Sequence, residues 1–284
     1  MQKNDIKIPT IAQMRKEIAE DKETKHLVDL SDRDVLTIYN YFKNRDKIID
    51  GYKTTLKTFS HIEVIKVRTE EKELELRQLE FFNQQKLFES DEYSQKCFLK
   101  DFKVTNDEQQ KAKQVASDFI KKFNQNTFLK GIYLNGRYST GKTFLLSAIA
   151  NELLKKNVKV IFVFMPALAR IIKDGMEEHD LRRRIEILEN ADVLMLDDIG
   201  GEHVTAWFRD EILVPLIQKR MNNKKPILFS SNKKMSELYE HFLIYTAEDE
   251  LKSSRITNRI KDTCQNVELS EKTYKRFKSI KNHK

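Results

Sequence analysis

Gly131-Ile132-Tyr133-Leu134-Asn135-Gly136-Arg137-Tyr138-Ser139-Thr140-Gly141-Lys142-Thr143-Phe144-Leu145-Leu146-Ser147-Ala148-Ile149 is the stretch that decides the fold. It begins as a short apolar run, passes through G-x-x-x-x-G-K-T and ends in an apolar run of helical character. Strand, glycine-bearing turn and helix in that order make a phosphate-binding loop. The glycines let the backbone wrap so that successive N–H groups point inward, and the helix N-terminus adds further donors. Gly136, Tyr138, Ser139, Thr140, Gly141 and Phe144 then supply loop and helix backbone. Lys142 reaches the β- and γ-phosphates, and the Thr143 hydroxyl ligates magnesium.

Working outward, Val193-Leu194-Met195-Leu196-Asp197-Asp198 reads as an apolar strand ending in two acids. Behind a phosphate loop, Asp197 is placed to hold magnesium through water, and Asp198 to orient or deprotonate an attacking water. Phe229-Ser230-Ser231-Asn232 is a third strand end, whose Asn232 amide either positions that water or caps a turn. Arg255 and Arg259 stand four residues apart on one helix face. One of them could act in trans as an arginine finger, although exposed arginines at this spacing are also ordinary on helices.

These pieces belong to a repeating pattern. From about Asp101, apolar runs rich in Val, Ile and Phe (131–135, 158–164, 193–196, 227–231 and 264–269) alternate with helical stretches at 142–155, 167–176, 180–190, 205–221 and 248–261. The prediction is an α/β fold with a five-stranded parallel sheet covered on both faces, ligands binding at the carboxyl ends of its strands. Residues 1–100 contain Gly51 as their only glycine and read as amphipathic helices. The expected domains are 1–100, a helical docking module, and 101–284, the nucleotide module.

The chain has 284 residues, 39% hydrophobic and 34% charged, with seven glycines and four prolines. That composition excludes collagen-like and low-complexity chains and argues against a sandwich. The longest apolar run, Val160–Ala169, is too short to span a membrane. The N-terminus alternates charges with no apolar core of a leader, so the expectation is a cytoplasmic protein. Cys97 and Cys264 are far apart, and the six histidines show no metal spacing. The net charge is +8, of which residues 251–284 carry ten basic against three acidic side chains. A local excess of that kind either binds an anionic partner or merely solubilises the end. Tyr274 and Phe277 among Lys275, Arg276 and Lys278 suit single-stranded nucleic acid, with bases stacking on rings and cations tracking phosphates.

The motif set from about Asp101 to Arg276 resembles the bacterial replicative-helicase loader ATPases of the DnaI/DnaC type, the DnaI branch above all. The similarity lies in Gly131–Gly136, in the run from Thr140 to Leu153, in Met195-Leu-Asp-Asp-Ile-Gly-Gly-Glu202, and in Ala206-Trp-Phe-Arg-Asp-Glu211, Phe229–Asn232 and Arg255-Ile-Thr-Asn-Arg-Ile260. The resemblance implies an AAA+ P-loop ATPase using ATP and Mg2+, with Lys142 in Walker A, Asp197 and Asp198 in Walker B, and Asn232 as sensor 1. It implies Arg259, or else Arg255, as the finger. The implied partners are the replicative helicase hexamer, held by the N-terminal domain, and single-stranded DNA. Self-association would run through the ATPase domain. Loaders of this branch often carry a cysteine-rich zinc site, but residues 1–100 offer only Cys97, so no zinc is expected. Where the family tends to place Ser-Tyr-Arg, this chain has Thr273-Tyr274-Lys275, and lysine lacks arginine's bidentate fork.

Two other functions compete with a helicase loader. One is a related DNA-associated ATPase such as a transposition helper, disfavoured by the long N-terminal module. The other is an adaptor that holds nucleotide with little turnover, disfavoured by the intact Lys142, Thr143, Asp197 and Asp198.

Overall fold

The computed structural model describes residues 9–59, 61–90, 95–124, 127–174, 177–244 and 249–270. Its contacts divide the chain into two compact units, Met1–Leu76 and Arg77–Lys284. In the first, α1 (Ile11–Glu20) and α2 (Asp32–Asn44) each start at a capping box. The Thr10 and Ser31 hydroxyls accept from the N–H groups of Gln13 and Asp34, whose side chains return the bond to the cap N–H. Met14, Ile18, Val35 and Ile38 join the two helices in a small core.

An antiparallel sheet follows, made of β1 (Ile48–Ile49), β2 (Tyr52–Lys57) and β3 (Glu63–Arg68). The helical reading of residues 1–100 omits it, although helices still dominate the unit. Its alternation is brief, and Lys53, Lys57, Lys66 and Arg68 fill exposed positions that also suit a charged helix. Asp50-Gly51, both at positive φ, make the two-residue turn between β1 and β2 and are the signal that could have revealed it. The division between the units falls within α3 (Glu70–Leu87).

The second unit is built on β4 (Gly131–Asn135), β5 (Val160–Phe164), β6 (Val193–Asp197), β7 (Ile227–Ser231) and β8 (Cys264–Glu268). All pairings are parallel, and the order is β5-β6-β7-β4-β8. Alternation sends Ile132, Leu134, Val160, Phe162, Val193, Met195 and Leu228 to one face. Tyr133, Ile161, Val163, Leu194, Leu196, Ile227 and Phe229 go to the other. Against the first face pack α4 (Asp107–Lys122) and α5 (Lys142–Lys155), through Ala112, Ala116, Phe119, Leu145 and Ile149. The second is covered by α6 (Met165–Lys173), α7 (Glu178–Asn190), α8 (Val214–Asn222), α9 (Met235–Phe242) and α10 (Asp249–Thr263).

Strands β4 and β7 and helix α5 coincide end to end with the sequence reading. Helix α9 was not foreseen. The stretch predicted as one helix over 205–221 contains a π-helical turn, Phe208–Leu213, ahead of Pro215, which has no N–H to donate. The compositional boundary at 100 also lies later than the physical one. Phe81 sits in the core with Phe119 and Val158, and Phe88 is fully buried with Leu168 and Leu188. The Ser90 hydroxyl accepts the Phe164 N–H at 3.0 Å, and Arg170 pairs with Glu89 at 2.6 Å. The described residues between 77 and 100 therefore belong with the α/β unit. Among the described residues, no helix is long and apolar enough to cross a membrane.

Candidate functional site

Strand order creates the site. Because β7 lies between β4 and β6, the residue after β7 sits between the turn after β4 and the acids at the end of β6. The turn is possible only with glycine at its ends. Gly136 has φ 146, and a Cβ there would lie 1.9 Å from the Leu269 carbonyl oxygen. Gly141 caps α5 in the left-handed region at φ 97. Lys142, Thr143 and Phe144 then form the first turn of α5, whose N–H groups have no partner within the helix.

Lys142 is 7% exposed, and its ammonium donates to Gly136 O (2.9 Å), Arg137 O (2.8 Å) and Asn232 Oδ1 (2.9 Å). Burial pulls its pKa down to about 8, against the attraction of Asp197 and Asp198. The Thr143 hydroxyl donates to both Asp197 oxygens, at 3.1 and 3.0 Å. Ser230 donates to Asp197 as well, and its oxygen accepts the Asp198 N–H at 3.0 Å. Asp198 sits in the left-handed region at φ 58, a strained conformation for a residue with a side chain. Its Oδ1 accepts from Asn232 Nδ2 at 2.5 Å. One network thus joins Lys142, Thr143, Asp197, Asp198, Ser230 and Asn232 across three strand ends.

The donor set fits a nucleotide with magnesium. The start of α5 and a buried ammonium stand beside a hydroxyl and a carboxylate, the sparse protein ligation that magnesium takes when phosphate oxygens and water complete its shell. Among the described residues, no cluster of three or more His, Cys, Asp or Glu could hold a metal alone.

Residues 42–282 match the family described as IstB-like ATP binding protein. The chain belongs to that family. The replicative helicase loader DnaI of Bacillus subtilis strain 168 is 39% identical over 149 residues, 52% of this chain and 48% of that one. The replicative helicase loader DnaC of Escherichia coli K12 is 26% identical over 149 residues, 51% of this chain and 58% of that one. The chain thus spans about half the length of the curated relatives it matches. A crystal structure of DnaI covers 62% of this chain and 92% of its own, with 34% identity and a TM-score of 0.58. The second unit therefore has the AAA+ P-loop fold, and the likeness to the DnaI/DnaC loaders expected from the motifs is present.

Not every expected residue of this IstB-like site joins the network. Tyr138 and Ser139 are exposed at the loop apex, Ser139 at φ 65. The Thr140 hydroxyl donates back to Arg137 O at 3.0 Å and shapes the turn. The Phe144 ring packs 6.1 Å from that of Phe102, so it serves the core and offers a ligand only its backbone. Arg255 is exposed on α10, and Arg259 is partly buried, with one guanidinium nitrogen buried and without a hydrogen-bond partner among the described residues. The bonds given above do not include either arginine. Tyr274, Lys275 and Arg276 lie outside the described residues. Sequence reasoning missed Ser230, which bridges the two acids; a hydroxyl at the end of an apolar strand was its only sign.

Proposed function

We propose that the chain is an ATP-dependent loader that delivers a replicative DNA helicase to single-stranded DNA. The observation that carries this reading is the convergence of Lys142, Thr143, Asp197, Asp198 and Asn232 in a chain whose matched relatives are named helicase loaders. Magnesium–ATP, when bound, supplies the bond to be hydrolysed. The Gly136–Thr143 turn and the first N–H groups of α5 hold the phosphates, and the Lys142 ammonium neutralises their charge. Thr143 and Asp197 are the protein's oxygens for the metal. Asp198 orients the attacking water and accepts its proton, while Asn232 holds the acid and faces the same phosphates.

Turnover is expected to be low without partners, because among the described residues no arginine side chain is bonded into that network. Arg259, or else Arg255, would supply one from a neighbouring copy of this chain. The buried nitrogen of Arg259, which has no hydrogen-bond partner among the described residues, supports that role. The N-terminal module would hold the helicase, and the basic stretch around Tyr274, Lys275 and Arg276 would contact DNA.

Co-purification of the full chain with the organism's replicative helicase, with and without ATP, tests the reading. Retention that responds to ATP is the expected result. If the helicase is retained in neither condition, the loader reading fails even where ATP binding stands.

A further inference from the structure

Glu202 closes the loop that begins at Asp198, and His241 lies in the last turn of α9, the helix that starts just beyond Asn232. The Glu202 side chain is fully buried. Its Oε2 accepts the Gly200 N–H at 2.8 Å, while its Oε1 is buried with no hydrogen-bond partner among the described residues. His241 Nε2 is buried in the same condition and faces that oxygen at 3.5 Å. The imidazole stands edge-on to the fully buried Phe242, with centroids 5.5 Å apart. Arg209 donates to the Phe242 carbonyl at 2.7 Å and to Asp249 at 2.9 Å. The end of α9 is therefore anchored from behind, and the carboxylate–imidazole pair faces the acid-bearing loop.

That loop has little slack. Gly201 N–H donates to Asp198 O at 3.0 Å, and a Cβ on Gly201 would fall 2.4 Å from Asp198 Oδ2. A displacement of Glu202 therefore passes to the Asp198 carboxylate, whose other oxygen is held by Asn232. Glu202 turns Oε2 to the Gly200 N–H and Oε1 toward His241, an orientation that suits holding the loop rather than acting on water. A closure of about 0.6 Å would turn the facing pair into a charge-assisted hydrogen bond.

We propose that Glu202 and His241 are positioning residues for ATP hydrolysis, tying the Asp198–Glu202 loop to α9 so that Asp198 and Asn232 keep their contact. This rests on the reading of Asp198 as the acid that acts on water. His241→Phe keeps a ring and removes the donor, whereas His241→Gln restores one. Glu202→Gln still accepts the Gly200 N–H but loses the charge. The measurements on the full chain are kcat, the ATP dissociation constant and the thermal midpoint. His241→Phe and Glu202→Gln should each lower kcat by about tenfold or more, with ATP affinity and midpoint near wild type. His241→Gln should recover most of the rate. The Glu202→Gln/His241→Phe double variant should be no slower than either single one. Wild-type kcat in His241→Phe overturns the proposal, as do loss of ATP affinity in step with kcat, failure of His241→Gln to rescue, and additive losses in the double variant. Should His241→Phe not fold, Glu202→Gln at wild-type kcat is sufficient to overturn it. Asp198→Asn, assayed alongside, separates the two readings. Wild-type turnover there removes the Asp198 assignment, whereas wild-type turnover confined to the Glu202 and His241 variants removes only this proposal.

Discussion

Two buried cations stand at opposite ends of the central strands, and they are held in different ways. Arg220, fully buried, spends its guanidinium on backbone carbonyls at the entry to β6 and β7: Leu188 and Ala191 (2.8 and 2.9 Å), Pro226 (2.8 Å), and more distantly Glu189 and Asp192. Burial pushes its pKa down to about 9, so it stays charged at neutral pH. Lys142, at the exit of β4, has two carbonyls and one amide oxygen, and its pKa falls to about 8. A planar five-donor fork suits fixed carbonyls that will never move, whereas a compact ammonium on a flexible stem can turn toward an anionic ligand. Burial alone does not mark a functional cation. The difference lies in what surrounds it, and the exit edge adds Asp197, Asp198 and the N-terminus of α5.

The largest expected effect breaks the entry edge. Arg220→Ala leaves several buried carbonyls without a donor and should cost about 3–5 kcal/mol of stability. Denaturant unfolding would show it, and ATP affinity measured on the folded fraction should not change. At the exit edge the damage should fall on chemistry instead. Asp198→Asn keeps the shape, and asparagine tolerates the left-handed φ that Asp198 adopts. Turnover should drop by about 10²-fold or more while ATP still binds. A folded variant with wild-type turnover would transfer the role to another acid.

The smallest effect sharpens the contrast through pH. Below about pH 8, Lys142 is protonated in both the folded and unfolded chain, and the folded state bears the full cost of burying the charge. Between about pH 8 and its ordinary value of 10.5, the unfolded chain holds a proton that the folded one has lost, so stability rises with pH. Lys142→Met removes this rise, so whatever gap separates the two proteins near pH 7 should shift in the wild type's favour toward pH 10.5. Unfolding curves for both proteins across that range would show whether the gap moves with pH; a constant gap would contradict the shift.

Much of the α/β unit was legible because its signals are local. Strands β4, β6 and β7 are short apolar runs ended by a polar residue, and the glycines of the phosphate turn fall where φ is positive. Residues that act through distant partners were not legible. Nothing in the chain near Ser230 announces that it bridges Asp197 and the Asp198 N–H, because that depends on β6 and β7 being neighbours. Arg209 and Arg220 read as ordinary helix cations until tertiary packing encloses them. The Asp50-Gly51 hairpin was legible and went unread, because charged residues on β2 and β3 suggested a helix. Phe81, Phe88 and Ser90 look like the tail of a charged helical module, and only their burial assigns them to the α/β unit.

The exit edge of the sheet is proposed as a magnesium–ATP site organised around Lys142. Titration calorimetry of ATP with Mg2+ into the wild-type chain and into Lys142→Ala tests it most directly. Binding by the wild type and a loss of about 10²-fold or more in the variant are expected, with the variant shown to be folded by a cooperative thermal transition. Unchanged ATP affinity in a folded Lys142→Ala protein would contradict it.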